Sequence, residues 1–145
     1  MTASIQRDRF GPDWPIGFIA VITPGTPVGF MSVVDPNAYN APGTPTSTLS
    51  NEYTVAAYEI VVQAVKPGVS HGMQLNTGNV YILRQGVSPG VGNRDDTGSM
   101  IAFLAPGLTL FLTAAALNMN VLSPYRYYVD ADNAGDGALI TLTIQ

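Results

Sequence analysis

Met100 to Leu117 reads MIAFLAPGLTLFLTAAAL, eighteen residues without a charge, and the fold turns on how that run is taken. A helix that crosses a bilayer needs about 20 predominantly apolar residues, so a membrane span has to be considered. Two features inside the run oppose it. Pro106 and Gly107 stand in the middle as a turn dipeptide, and beyond them Leu108, Leu110 and Leu112 alternate with Thr109, Phe111 and Thr113. A period of two belongs to a strand, whose successive side chains go to opposite faces. The stretch is therefore expected to form two strands and a turn, with no membrane partner.

The same alternation recurs along the chain. Ile16, Phe18, Ala20 and Ile22 share one face of IGFIAVIT, and a Pro-Gly-Thr-Pro turn leads from it into VGFMSVV. NVYILRQG, MIAFLAP, LTLFLT, PYRYYVD and ALITLTI follow, each bounded by Gly, Pro, Asn or Asp, the spacing of an all-β sandwich or barrel. EYTVAAYEIVVQAVKP is ambiguous, because Tyr58, Val61, Val62 and Val65 would also line a helix; its β-branched residues and missing N-cap favour a strand. Asp35 to Asn51, rich in proline and small polar residues, reads as a long loop, as does KPGVSHGMQLNTGN. With 145 residues there is enough chain for one core. The expectation is a single all-β domain over residues 16–145, a β-sandwich or jelly-roll-like barrel of about eight strands, preceded by an extended N-terminal arm, residues 1–15.

Composition narrows the function. Hydrophobic residues make up 46% and charged residues only 11%, against roughly 25% charged in an ordinary soluble domain. A free monomer needs a charge-rich surface; a subunit that buries its outside against neighbours does not. Self-assembly into a symmetric oligomer is expected, a trimer first among them. One lysine and five arginines are scattered through a chain of net charge −4, leaving no basic patch for phosphates, so no nucleic-acid partner is expected. Cysteine is absent, which removes disulfides and thiolate chemistry. The amino end, MTASIQRDRFGPDWP, has charges where a signal peptide would be apolar, the pattern of a product made in the cytoplasm.

Candidate chemistry is sparse. VDADNAGDG, Val129 to Gly137, resembles a calcium loop, but an EF-hand needs oxygen ligands at positions 1, 3 and 5 and a glutamate at 12. Counting from Asp130 puts Ala134 at the fifth position and Thr141 at the twelfth; counting from Asp132 puts Ala134 at the third and Thr143 at the twelfth. A turn between two strands explains the segment better, with a weak surface cation site left open. His71 is the only histidine and lies in a loop beside Ser70; Asp95 and Asp96 are consecutive, a poor arrangement for two carboxyls facing a sugar; GVSPGVGN lacks the lysine of a phosphate loop. No catalytic residue, metal or cofactor is expected, and an enzyme, such as a small hydrolase, is the most remote reading.

NTGNVYILRQG, MIAFLAPGLTLFL and YRYYVDADNAGDGALITLTI, between Asn76 and Gln145, together resemble the strand rhythm of small jelly-roll decoration, or cement, proteins encoded beside the major capsid protein of tailed bacteriophages. The resemblance implies a structural virion protein that binds the major capsid protein on the capsid exterior, as a dimer, trimer or hexamer, and is assembled in the host cytoplasm. That family has no residue motif, so no residue role follows from it. Anchors for a partner are sought among aromatics. Phe10 and Trp14 lie in DRFGPDWP, ahead of the first strand, as a docking arm would; Trp14 equally suits closing one end of its own sandwich, and Tyr39 in the proline-rich loop is a further anchor. The alternative function is a carbohydrate-binding or adhesive β-sandwich, with Tyr125, Tyr127 and Tyr128 as platforms. Period two assigns Tyr125 and Tyr127 to the core face of Val129 and Tyr128 to the opposite face.

Overall fold

The structure, a computed structural model, describes residues 13–32, 56–84 and 100–144. Among them are ten strands: β1 (Asp13–Ala20), β2 (Val28–Gly29), β3 (Ala57–Gln63), β4 (Val65–Pro67), β5 (Met73–Leu75), β6 (Val80–Arg84), β7 (Met100–Leu104), β8 (Thr109–Thr113), β9 (Tyr127–Ala131) and β10 (Gly137–Ile144). One 3-10 turn, Pro124–Arg126, precedes β9. The strands form two four-stranded sheets, β1-β10-β3-β8 and β2-β9-β6-β7, and a small β4-β5 hairpin. Every pairing is antiparallel.

Set the hairpin aside and the order of the remaining eight strands is that of a jelly roll. The first pairs with the eighth, the second with the seventh, the third with the sixth and the fourth with the fifth. The all-β sandwich follows from the alternation seen in sequence. Ile60 and Val62 of β3, Leu112 of β8, and Ile140 and Leu142 of β10 face inward from one sheet; Val80, Ile82, Leu104, Val129 and Ala131 meet them from the other, in one cluster. Phe30 joins by stacking on Tyr127, ring centroids 5.9 Å apart. Leu83 and Tyr128, paired on the opposite face of the second sheet, are also fully buried, so β9 is covered on both sides.

Met100 to Leu117 is two strands with a turn at Pro106–Gly107 between them, and no helix among the described residues is long and apolar enough to cross a membrane. β7 and β8 lie in different sheets, so that turn crosses one side of the sandwich.

Five local expectations need correcting. The run 52–67 is not one strand: the Ala64 amide and carbonyl bond to Leu108 and Gly107, which ends β3 and sends β4 into the hairpin. The stretch read as a loop after Lys66 contains β5, where Met73 and Leu75 pair with Pro67 and Val65. Among the described residues of VGFMSVV, 28–32, Val28 and Gly29 form β2 and the Phe30 amide bonds to the Tyr127 carbonyl, and PYRYYVD becomes extended only at Tyr127, since Pro124 opens a 3-10 turn. At the amino end β1 begins at Asp13, with Trp14 opposite Leu142 and Pro15 opposite Thr141; the sheet therefore takes in three residues assigned to the arm.

Candidate functional site

The end of β9 and the loop between β9 and β10 carry the carboxylates that suggested a metal, and the fold engages each one separately. Asp130 is buried and its Oδ1 accepts from the amides of Gly25, at 2.9 Å, and Ala131, at 2.8 Å. Asp132 accepts from the Tyr81 hydroxyl at 2.9 Å. Asp136, fully buried, receives the Lys66 ammonium at 3.0 Å on Oδ1, and on Oδ2 the Thr77 amide, the Thr77 hydroxyl and the Gly78 amide, all at 2.9 Å. Its backbone carbonyl accepts from Val21. Burial pushes the Asp136 carboxyl up, but the Thr77 amide, the Lys66 ammonium, the Gly78 amide and the Thr77 hydroxyl outweigh it and hold the group below its ordinary value of 3.8.

Around this carboxylate the end of the sandwich is knotted. Asn76 donates to the Gly137 carbonyl at 2.7 Å and accepts from the Gly137 amide at 3.1 Å, imitating a strand neighbour. Asn133 reaches back to the Thr77 hydroxyl at 3.0 Å. Gly135, at φ 89°, makes the bend that an L side chain would strain, and its amide bonds to Val21. A Cβ on Gly137 would collide with the Ile19 carbonyl oxygen, so only glycine lets β10 start this close to β1. The arrangement clamps four chain segments together. No group of three or more His, Cys, Asp or Glu able to hold a metal occurs among the described residues.

The sequence-derived sites fall as follows. His71 and Ser70 are exposed in the turn between β4 and β5. Trp14 is in β1 by its backbone pairing. Phe10 and Tyr39 lie outside the described residues, as do Asp95, Asp96 and the glycines of GVSPGVGN. Tyr125, Tyr127 and Tyr128 are all buried, so the face expected to present Tyr128 beside the exposed Arg126 offers no tyrosine platform. Burial raises the Tyr127 hydroxyl above its ordinary value, against the opposing pull of Arg84 and Arg126.

Exposed apolar side chains occur elsewhere. Met73 and Leu75 project from one face of β5, Leu108 from the β7–β8 turn, Phe103 from β7 and Phe111 from β8. Leu75 lies against Gly107, where an added Cβ would come within 2.8 Å of it, so the hairpin rests on that turn. No charged residue occurs between Asp96 and Arg126, so β7, β8 and the turn between them carry apolar and small polar side chains alone. Sequence reading noted the run but not the surface, because exposure depends on which strands end up at the sheet edges. The chain matches no family model, no curated protein and no solved structure.

Proposed function

We propose that the chain is a structural virion component: a capsid decoration protein that binds the major capsid protein on the outside of the shell and acts as a symmetric homo-oligomer. One observation carries the reading. A jelly roll whose buried Asp130 and Asp136 accept internal hydrogen bonds carries, on β7, β8 and the turn between them, no charged side chain and three large exposed apolar ones, Phe103, Leu108 and Phe111. Such a surface belongs against another protein. Jelly rolls serve capsid and lectin domains alike, so the surface and not the fold carries the reading. The work proposed is mechanical, with no catalytic residue and no cofactor, and its place is the virion exterior.

Co-sedimentation with undecorated capsid shells tests the proposal directly, with light scattering for the oligomer. Removal of residues 1–12 tests the aromatic arm; the cut stops there because Asp13 already pairs with Thr143 in β1. Retention on shells by the full chain, reduced by the deletion while the β-domain stays folded, is the expected result. A monomer that ignores shells and is held on a glycan array would replace this reading with the carbohydrate-binding one.

A further inference from the structure

Among the described residues the two sheets have four edge strands, β1, β8, β2 and β7, and three of them are blunted against pairing. β1 carries Pro15 and a bulge between Pro15 and Gly17; β2 is two residues long; β7 has an extra residue, Ile101, between the partners of Ile82 and Leu83. Proline, bulges and shortness are the devices that keep sheet edges from joining. β8 has none. Its five residues pair with β3 in unbroken register, from Glu59↔Thr113 to Gln63↔Thr109, and among the described residues no strand lies on its other side.

The sequence of β8, Thr109-Leu110-Phe111-Leu112-Thr113, is a palindrome. Antiparallel pairing with the same strand of a second molecule, about a two-fold axis at Phe111, sets Thr109 against Thr113, Leu110 against Leu112 and Phe111 against itself. Thr–Thr and aromatic pairs are favourable cross-strand neighbours. Phe111, 61% exposed on the outer face, and Leu110, half-buried at the rim of the core, would both lose solvent contact.

We infer that two copies of this chain join edge to edge through β8, extending the sheet β1-β10-β3-β8 into one of eight strands. The inference rests on the assembly reading for its biological use and names the partner as a second copy. Charge permits it: Glu59, the charged residue of the neighbouring strand, opposes Thr113, and the row continues across the axis to the second copy's Thr109 and Gln63 equivalents without meeting a like charge. Area limits its strength. A stable interface takes about 800 Å² from each partner, roughly a tenth of the 7836 Å² surface, and a five-residue seam runs only about 17 Å. Leu108, exposed in the turn just ahead of β8, adjoins it in the chain, and association that grows with protein concentration is expected.

The chain has no cysteine, so Phe111→Cys introduces a single thiol. On the axis of an antiparallel pair its α-carbon would lie about 4.5–5.5 Å from its mate, within disulfide reach. Mild oxidation should give covalent dimers at least tenfold faster than Val69→Cys, whose position is 96% exposed in the β4–β5 turn. In a second test Phe111→Lys and Phe111→Asp should each be monomeric and should dimerise when mixed, with circular dichroism confirming that both are folded. Equal cross-linking rates for the two cysteine variants would overturn the seam. If the chain still oligomerises in that case, the assembly reading survives; Phe111→Cys dimers that ignore capsid shells would uphold the seam and remove the shell reading.

Discussion

The Lys66 ammonium lies 3.0 Å from the Asp136 carboxylate, across 70 positions of sequence. The lysine keeps 20% of its side-chain exposure and the aspartate none. Asp136→Asn can keep an oxygen toward the amides of Thr77 and Gly78 only by setting its own amide hydrogens against Lys66, which also loses its counter-charge. Breaking a buried pair from one side costs roughly 3–5 kcal/mol. Lys66→Met should cost less, roughly 1.5–3 kcal/mol, because Thr77 and Gly78 still donate to the carboxylate. Urea denaturation of both variants checks the order.

Acid should reveal the same carboxylate. Its folded value is depressed, so its contribution is complete above the ordinary value of 3.8 and is lost as pH falls through the lower folded value. Melting temperatures taken downward from pH 5 should decline in the parent, and Asp136→Asn should lack that component of the decline. Parallel curves would contradict the assignment.

At the alkaline end Tyr127 acts. Burial raises its folded value above 10.0, so its contribution is present below pH 10.0 and is lost as pH rises through the folded value. Tyr127→Phe should melt with a shallower loss than the parent between pH 9 and 11.

Gly137→Ala should be among the worst single substitutions in the sheet. The added carbon meets the Ile19 carbonyl and, at 3.0 Å, the Ala20 α-carbon, both backbone of a paired strand. A loss of about 3 kcal/mol or more is expected. Gly25→Ala, at φ 89° with open space around it, should cost about 1–2 kcal/mol. Chemical denaturation of the two distinguishes collision from backbone strain.

Calcium should do little. Asp130, Asp132 and Asp136 each accept hydrogen bonds from separate donors, and an ion that does not bind the folded state cannot stabilise it. Adding millimolar calcium or a chelator should move the melting temperature by less than about 1 °C. A rise of several degrees would mean that the loop rearranges around the ion.

The sequence alone determined that the chain is all-β and where most strands run, because a side chain's face follows from its parity along a strand. Leu108 to Thr113 and Ala138 to Ile144 could be assigned this way with no knowledge of neighbours. It also placed a turn at Asp130 to Gly137, from local glycine and aspartate chemistry. The tertiary structure decided what local signals do not encode. β3 stops at Ala64 because a turn more than 40 residues away in sequence bonds to it there, and Met73 to Leu75 becomes a strand only because Val65 to Pro67 lies beside it. Asp136 looked like one acid among three until Lys66, Thr77 and Gly78 closed on it. Tyr128 was assigned correctly to the face away from Val129, yet it is buried, since parity sets direction and not what lies over the sheet. Pairing partners, edges and cover are properties of chain segments brought together from far apart, and their energies depend on contacts that no local window contains.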